Sequence, residues 1–465
     1  MTARVVVVGA GVAGLTAAYR LLRAEEPSDV TVLEADGVLG GKLRSVRVGD
    51  LELEAGPDSF VARKPWAVEL CRELGLGDRL EAPAASGAFV WTDHGLERIP
   101  RTALGVPAGL SELLTWKAMS RVGRFRALAD LVRRARPPQG DESIGSLARR
   151  RLGEEATEVL IGPLLGGLHA GDVDRLSVAA TFPELARWER DQGSLIRGAK
   201  AALAAAPDAG PMFLKPRDGT TALIEALVGS IGRERIRLAE PATGILAAGT
   251  GFSVRTGRGE IPADRVVLAA PAFAASGLLE DVAPVSAAEL AAIPYASTGV
   301  ALLVYPEGTG DALPDATGFV VPPGRAPMTA CTFLSRKWPR PEYGTRAVVR
   351  CFVGGVGAEE VVDEPEEEIV AAVSRHIAAV LELPDRPSEA HVERWHRAMP
   401  QYEVGHRERL ARIRDSLPPG IFVIGGGYDG VGVPDCVRGA NLAAEAVLSH
   451  LAERSAGSER REQVR

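Results

Sequence analysis

The segment RVVVVGAGVAG, residues 4–14, decides the fold class of this 465-residue chain. Four consecutive valines are typical of a buried parallel strand. The glycines that follow have the spacing G-x-G-x-x-G, and residues 15–24 then have the apolar pattern of a helix. Such glycines alone can form a turn without a ligand, but strand, turn and helix in this order predict the start of a dinucleotide-binding βαβ unit.

An acidic residue stands where this unit requires one. The second strand, residues 29–34, ends on Glu34, whose carboxylate is predicted to accept a hydrogen bond from a ribose hydroxyl. Gly9 is expected to permit the tight turn, and Gly14 to allow close packing of helix on strand. Gly11 is expected to let backbone N–H groups and the helix N-terminus approach a pyrophosphate.

Two further glycine loops favour FAD over NAD. The first, GGKLR at residues 40–44, resembles the second FAD signature of amine-oxidase-like flavoproteins, although alone it is a plain turn. The second, GGGYDGVGVPD at residues 425–435, lies between an apolar strand and a helix predicted over 435–451. A helix N-terminus there would stabilise negative charge on a reduced flavin; the alternative is a loop that only caps the helix. The sequence therefore predicts an FAD-binding oxidoreductase of the α/β class.

Composition narrows the class of protein. With 46% hydrophobic and 25% charged residues, the chain is predicted to bury a large core in two or three domains. The net charge of -7 gives no general attraction to polyanions, so nucleic acid is not expected as a partner.

The cysteines and the first residues indicate where in the cell the protein is expected and whether it spans a membrane. The four cysteines include no C-x-x-C pair, and Met1 leads directly into a strand without a signal-peptide pattern. The apolar run at residues 5–19 is too short to span a bilayer. The seven histidines form no H-E-x-x-H motif and no Cys/His cluster. We therefore expect a cytoplasmic protein with no transmembrane segment and no metal site.

Longer strings, spread over the whole chain, are more specific than the glycine turns. They are EAGPDSF (54–60) with RKP (63–65), PLLGGLHAGD (163–172), RLS (175–177) with TFP (181–183), ACT (330–332), KWP (337–339), RWH (394–396), MPQY (399–402) with VGH (404–406), and YDGVGVPDC (428–436). Together they resemble the bacterial porphyrinogen oxidases of haem biosynthesis: the soluble, Gram-positive type of FAD-dependent protoporphyrinogen/coproporphyrinogen III oxidase, in the amine-oxidase-like flavoprotein superfamily.

The resemblance implies a discontinuous Rossmann-like FAD domain, a mixed-sheet substrate domain and a helical insertion. The expected ranges are 1–65, 205–275 and 395–452 for the FAD domain, 80–104 and 276–394 for the substrate domain, 105–204 for the helical domain, and 453–465 for a flexible tail. Within the helical domain, a Pro/Gly-rich break at residues 137–140 separates two stretches with a basic amphipathic pattern.

Carried over position by position, the resemblance also implies the cofactor contacts. These are Gly9, Ala10, Gly11, Val12, Ala13, Gly14, Glu34, Ala35, Lys42, Gly56, Pro57, Asp58, Ser59, Thr243, Trp395, Val431, Gly432 and Val433. No string typical of a cysteine-linked flavin is present, so the FAD is expected to be non-covalent.

The implied activity is the oxygen-dependent, six-electron oxidation of coproporphyrinogen III to coproporphyrin III, with release of hydrogen peroxide. The cofactor carries the redox chemistry, and loss of hydride acidifies the pyrrole N–H groups of the substrate, so no strongly basic side chain is required. A transient contact with the next enzyme of the pathway is a further expectation. The alternatives are protoporphyrinogen IX oxidase, a flavin amine oxidase, a carotenoid desaturase-like enzyme, and an inactive haem-pathway scaffold.

Two residues are predicted as catalytic. Lys64, beside Arg63, is predicted to meet a substrate propionate or polarise the ring; the alternative is a solvated charge pair at a helix start. His169 is predicted to line the cavity; the alternative is a packed structural histidine. Lys337, next to a tryptophan, is interpreted as a packed, snorkelling lysine. The basic helices around residues 121–136 either contact an anionic membrane or a partner, or are simply solvated.

Overall fold

A computed structural model describes residues 2–135, 139–205 and 210–463, with side chains up to residue 453. Part of the predicted break at 137–140 and the last two residues of the predicted tail lie outside the described residues. No cis peptide bond occurs in the described ranges.

The first layer is a five-stranded parallel sheet. Its strands, in spatial order, are Ile236–Arg237, Asp29–Leu33, Arg4–Val8, Arg265–Leu268 and Ile421–Val423. The four valines after Arg4 are buried, as expected for a strand covered on both faces. Helices Val12–Leu22 and Val433–Gln463 pack on one face and share a hydrophobic core with the sheet. The predicted βαβ unit is thus confirmed.

The second layer is a seven-stranded mixed sheet. Its strands, in spatial order, are Glu389–Pro400, Tyr295–Val304, Val348–Gly354, Met328–Phe333, Gly318–Val320, Phe89–Thr92 and Gly95–Arg98. All neighbouring pairs are antiparallel except the parallel pair of Gly318–Val320 with Phe89–Thr92. Helix Glu366–Val380 contributes to the core on one face of this sheet.

A helical region with its own hydrophobic core lies between residues 110 and 204. Its α-helices are Leu110–Thr115, Arg121–Leu128, Ile144–Arg151, Glu154–Ala156, Gly167–His169, Val178–Thr181, Pro183–Gln192 and Leu195–Ala204, with a 3-10 turn Ala129–Leu131 and a π-helix Thr157–Gly166. A fully buried Arg151–Asp130 ion pair, at 2.5 Å, joins three of its segments because the Asp130 carboxylate also accepts from Ser194 Oγ.

Shorter elements complete the fold. The small sheets are Ser45–Val48 with Leu51–Glu54, Phe60–Val61 with Phe213–Pro216 and Leu80–Glu81, Ala242–Ala248 with Gly251–Thr256 and Gly259–Ala263, and Thr102–Ala103 with Val106–Pro107. The remaining α-helices are Pro65–Glu73, Thr221–Ile231, Ala272–Leu279, Pro284–Ala291, Leu334–Lys337 and His406–Ser416, and the remaining 3-10 turns are Gly77–Arg79, Arg233–Arg235, Gly310–Ala312, Pro341–Tyr343 and Glu359–Asp363.

The α/β class, with a Rossmann-like sheet, a mixed second sheet and a helical insertion, is confirmed. The domain boundaries stay a prediction, and two observations bear on them. Helix Pro284–Ala291, expected with the substrate domain, shares a core with the five-stranded sheet. The last helix extends to Gln463, beyond the predicted end at residue 451, because the Glu and Arg residues that follow are good helix formers and no proline interrupts them.

Candidate functional site

The glycine turn lies where the chain leaves the central strand of the five-stranded sheet. Gly9 has a φ of +107°, and its N–H donates to the Leu33 carbonyl at 2.7 Å. A Cβ on Gly9 would lie 2.9 Å from the Ala269 oxygen, and a Cβ on Gly14 would overlap the Gly9 oxygen. The packing of the chain itself therefore requires both glycines.

Gly11 differs, because no described part of the chain requires a glycine there. Its φ of -76° suits any residue, and a Cβ would meet no described atom within 4 Å. Gly11 is the N-cap of helix Val12–Leu22, so unpaired N–H groups of the first turn point towards the same space. The second glycine loop borders this space, since Gly40 N–H donates to the Ala10 carbonyl at 3.0 Å. Such a cradle fits the pyrophosphate of a dinucleotide cofactor.

Glu34 fastens the end of the second strand to the glycine turn. Its Oε2 accepts from Ala10 N–H at 2.7 Å, and its Oε1 accepts from Asp36 N–H at 2.9 Å. A carboxylate oxygen can accept more than one hydrogen bond. Glu34 can therefore bind a ribose hydroxyl in addition to holding the loop.

Four of the predicted contacts are exposed: Ala35, Lys42, Pro57 and Thr243. Thr243 follows Glu240, whose N–H donates to the Glu34 carbonyl at 2.9 Å. Ala35 and Thr243 therefore lie at the same edge as the predicted ribose ligand, whereas Lys42 lies in the second glycine loop.

The chain returns beside the second loop at residues 55 and 56. A Cβ on Gly56 would overlap the Lys42 oxygen, and Ala55 N–H donates to the Arg44 carbonyl at 2.9 Å. Trp395 lies in the edge strand of the seven-stranded sheet, and its Nε1–H donates to the Ala55 carbonyl at 3.1 Å. The structure thus brings together Lys42, Gly56 and Trp395, which the sequence places far apart.

Asp58 is the centre of a buried ion cluster. Its Oδ2 accepts from Lys337 Nζ at 3.0 Å and from Trp338 Nε1 at 3.1 Å, and Arg350 Nη2 lies 3.3 Å away. Burial alone would raise the pKa of Asp58, but the Arg350 and Lys337 cations outweigh it and hold that pKa well below its usual range. Arg350 also donates to the Gly56 carbonyl at 2.7 Å. Asp58 therefore ties the 56–59 segment to the second sheet.

The two neighbours of Asp58 are held differently. Pro57 is exposed, and its carbonyl accepts from Thr220 Oγ1 at 3.1 Å. Ser59 is half-buried, and its Oγ donates to Asp58 Oδ1 at 2.9 Å. The segment is therefore anchored on both sides of the ion cluster.

Sequence reasoning missed this cluster. The sequence predicts a snorkelling lysine at position 337, but the amine of Lys337 is mostly buried and bonded to Asp58. Arg350 was not singled out, although it stands alone as a charge within the apolar segment AVVRCFV, residues 347–353. A charge in a buried strand requires a partner, and that was the available signal.

A tyrosine clamps the third glycine loop. Tyr402 Oη donates to the Gly426 carbonyl at 2.7 Å and accepts from Gly430 N–H at 2.9 Å. A Cβ on Gly427 would lie 2.6 Å from Tyr295 Oη. Both tyrosines were outside the predicted contacts, although Tyr402 belongs to the MPQY string.

The last helix begins directly after this loop. Val431 and Gly432 are half-buried, and Val433, the first residue of the helix, is buried. The helix starts two residues earlier than predicted, which places Pro434 in its first turn, where a proline is favourable. The positive end of the helix dipole therefore faces the loop.

Lys64 lies opposite the start of this helix. Its Nζ donates to both Asp435 oxygens at 2.7 Å, and the lysine side chain is about half exposed. Arg63, its neighbour, is exposed. Lys64 is thus an ion-paired residue at the margin of the third loop.

His169 lies in the helical region, packed against the third-loop clamp. Its ring meets the rings of Phe182 and Tyr402, with centroids 5.9 and 5.7 Å away. The side chain is buried, Nδ1 has no hydrogen-bond partner, and burial lowers the pKa of His169 to about 4, with smaller contributions from His406 and Lys64. The imidazole is therefore neutral at neutral pH.

The described residues contain neither a metal-binding cluster nor a membrane-spanning helix. No cluster of His, Cys, Asp or Glu in these ranges is arranged to hold a metal ion. No helix in the described part of the chain combines the length and hydrophobicity needed to cross a membrane.

Similarity to known proteins extends over almost the whole chain. Coproporphyrinogen III oxidase of Bacillus subtilis (strain 168) is 32% identical, with 96% of this chain and 98% of that protein covered. Coproporphyrinogen III oxidase of Staphylococcus aureus (strain NCTC 8325 / PS 47) is 30% identical, with 97% and 100% covered. A crystal structure assigned as a protoporphyrinogen oxidase from Exiguobacterium sp. 255-15 superposes with a TM-score of 0.86 at 33% identity, covering 97% of this chain and 99% of that one.

The family model of the flavin-containing amine oxidoreductases matches residues 12–448, which include the helical region, the seven-stranded sheet and all strands of the five-stranded sheet except Arg4–Val8. The match therefore spans all three glycine loops except the first residues of the first one. Taken with the relatives above, it shows that this chain belongs to the family of flavin-containing amine oxidoreductases.

Proposed function

We propose that the chain binds FAD and oxidises coproporphyrinogen III to coproporphyrin III, a six-electron reaction in which molecular oxygen is the acceptor and hydrogen peroxide is released. The observation that carries this proposal is the similarity, over the full length, to coproporphyrinogen III oxidases at 30–32% identity. The cradle at Gly11 supports the assignment of the cofactor. No described contact of the chain requires a glycine there, and the missing side chain leaves room for a bound group.

The proposed cofactor contacts are the glycine turn, Glu34 and Ala35, Lys42, the 56–59 segment, Thr243, Trp395 and Val431–Val433. The flavin supplies the two-electron acceptor for each of the three oxidations. The chain's own residues hold the pyrophosphate and ribose, fix the 56–59 segment through Asp58, and aim the N-terminus of the last helix at the third loop.

Lys64 and His169 are the proposed substrate-facing residues. Lys64 is about half exposed, and an ammonium group has three donors, so it can bind a propionate of the substrate while it stays paired with the mostly buried Asp435. His169, neutral and with Nδ1 unpartnered, can exchange a hydrogen bond without adding charge to the cavity. The proton released from the substrate then needs no strong base, which agrees with the absence of a titratable dyad among the assigned residues.

The FAD is proposed to be non-covalent. Cys436 is the cysteine nearest to the third loop, with Sγ 3.9 Å from the Gly430 carbonyl. Burial raises the pKa of the Cys436 thiol to about 11, so the thiolate needed for a linkage is scarce at neutral pH.

We expect the purified protein to be yellow and to release unmodified FAD on denaturation. Mass spectrometry of the filtrate and of the peptides checks both halves of this expectation. A peptide carrying flavin mass would contradict non-covalent binding, and release of FMN alone would contradict FAD.

The remaining parts of the proposal are a cytoplasmic location and a transient contact with the next enzyme of the pathway. A second candidate activity is protoporphyrinogen IX oxidation, favoured by the assignment of the Exiguobacterium structure. Anaerobic reduction of the flavin by each porphyrinogen, measured side by side, separates the two.

We expect kcat/KM to be higher for coproporphyrinogen III than for protoporphyrinogen IX, because four propionates gain more charge-assisted hydrogen bonds than two, each worth about 1.5 to 3 kcal/mol. Lys64→Ala should reduce kcat/KM for the tetra-acid more than for the di-acid. Steady-state oxygen consumption measures both effects. Arg63→Ala, which removes the exposed neighbouring charge, is the matched control. Faster turnover of protoporphyrinogen at equal subsaturating concentration would favour the second candidate.

A further inference from the structure

The ion cluster around Asp58 contains an excess of positive charge. Four cations face three carboxylates: the cations are Lys215, Lys337, Arg340 and Arg350, and the carboxylates are Glu54, Asp58 and Glu81. All but Arg340 and Glu81 are nearly or completely buried. Arg217 and Glu342 are two further, exposed charges. They are opposite in sign, so together they leave the excess of one positive charge unchanged.

Lys215 is the unusual member of this cluster. Its side chain is fully buried, and its Nζ makes no hydrogen bond. The nearest anions are Glu81 at 3.5 Å and Glu54 at 3.7 Å, and the Trp338 ring lies 4.7 Å from Nζ. Ion-pair attraction and the aromatic face hold this cation, but no acceptor is bonded to it. Unlike Lys337, which donates to both oxygens of Asp58, Lys215 is therefore held without a direct hydrogen bond.

The position of Lys215 links it to the proposed cofactor segment. Its strand, Phe213–Pro216, runs antiparallel to Phe60–Val61, with Leu214 paired to Phe60. Lys215 is therefore the next residue towards Ser59. The cluster lies directly behind the 56–59 segment and is tied to it through Asp58 and through the bond from Arg350 to the Gly56 carbonyl.

We propose that this buried cluster, with its excess of one positive charge, raises the reduction potential of the bound flavin, and that Lys215 is the cation whose removal cancels this excess. The proposal rests on the FAD site proposed above. Reduction by two electrons and one proton converts a neutral oxidised flavin ring into a monoanion. A fixed positive charge within the protein interior stabilises that anion, because the surrounding dielectric is low and the charge is already oriented.

The test measures the midpoint potential of the full-length protein with its bound flavin, by anaerobic titration against a reference dye. Lys215→Met removes the charge and keeps most of the side-chain volume. We expect the ratio of reduced to oxidised flavin at a fixed potential to fall about tenfold, which corresponds to a shift of about 30 mV to more negative potential for a two-electron couple. The flavin-to-protein ratio should stay at the value of the unchanged protein.

Three further variants separate charge from packing. Glu81→Gln removes a half-exposed anion and should shift the potential in the opposite direction, so the proposal stays testable even if Lys215→Met fails to fold. The double variant Lys215→Met/Glu81→Gln removes one charge of each sign and should return the potential close to that of the unchanged protein. Arg217→Met, which removes an exposed cation near Glu81, should leave the potential unchanged because solvent screens it.

Two outcomes would overturn the inference: a Lys215→Met protein with stoichiometric flavin and an unchanged potential, or a double variant displaced as far as the single one. If Lys215→Met does not fold, an unchanged potential in Glu81→Gln overturns it instead. Failure of the proposed function looks different, because the unchanged protein would then bind no FAD or would not be reduced by either porphyrinogen.

Discussion

Gly11→Val is expected to give a folded protein that has lost its FAD. The backbone at Gly11 accepts any residue, and the new Cβ meets no described atom of the chain within 4 Å, so folding should survive. The added methyl groups would instead fill the cradle in front of the helix, where the pyrophosphate is proposed to bind. We expect the affinity for FAD to fall at least ~100-fold, about 2.7 kcal/mol. Flavin absorbance per folded protein, with titration of added FAD, measures the loss.

Two other glycines provide matched controls for this variant. Gly277→Val should keep normal FAD content. Gly277 is exposed on a helix, and a Cβ there would meet no described atom within 4 Å. Gly14→Val should fail to fold, since its Cβ would overlap the Gly9 oxygen. Normal flavin absorbance in folded Gly11→Val protein would contradict both the cradle and the proposed pyrophosphate position.

Asp58→Asn is expected to destabilise the protein strongly. Removing the carboxylate leaves Lys337 and Arg350 buried without their counter-ion, and breaking a buried pair in this way typically costs about 3 to 5 kcal/mol. The urea midpoint of the variant should fall accordingly, and FAD should be lost earlier in the titration than in the unchanged protein. An unchanged midpoint would show that the cluster does not hold the 56–59 segment.

The matched control for this prediction is Asp50→Asn. Asp50 also accepts two bonds from one arginine, Arg346, at 2.7 and 3.1 Å, but its side chain is mostly exposed. Solvent screens such a pair, so the midpoint should hardly change.

The contribution of Asp58 to the free energy of unfolding depends on pH, and the direction of this dependence follows from the pKa. The pKa of Asp58 is lower in the folded protein than the ordinary carboxyl value of about 3.9. Its contribution is therefore fully present above that ordinary value and is lost as the pH falls towards the lower, folded pKa. Asp58→Asn should remove this part of the acid dependence.

Local patterns predict the fold class and the geometry of the first glycine turn. The valines, the glycine turn and Glu34 lie within residues 4–34, so their geometry follows from strand, turn and helix rules alone. The same rules predicted a helix after the third loop and placed its start within two residues.

Long-range contacts were beyond those rules. The bond of Trp395 to Ala55 and the ion pair of Lys337 with Asp58 join residues separated by hundreds of positions. Resemblance to a family supplied Trp395 and Asp58 as cofactor contacts, but it did not supply the reason for either one. Arg350 and Lys215 are charges in buried strands, so each requires a partner, but tertiary packing decides which residue that partner is.

The order of strands in the five-stranded sheet has a consequence for synthesis of the chain. Its edge strand Ile421–Val423 and the third glycine loop are made more than 150 residues after their neighbour Arg265–Leu268. Until then Arg265–Leu268 is an open, apolar edge, available for pairing with another chain. Any translation stop between residues 268 and 421 should therefore yield an aggregating, flavin-free product rather than a partly active one.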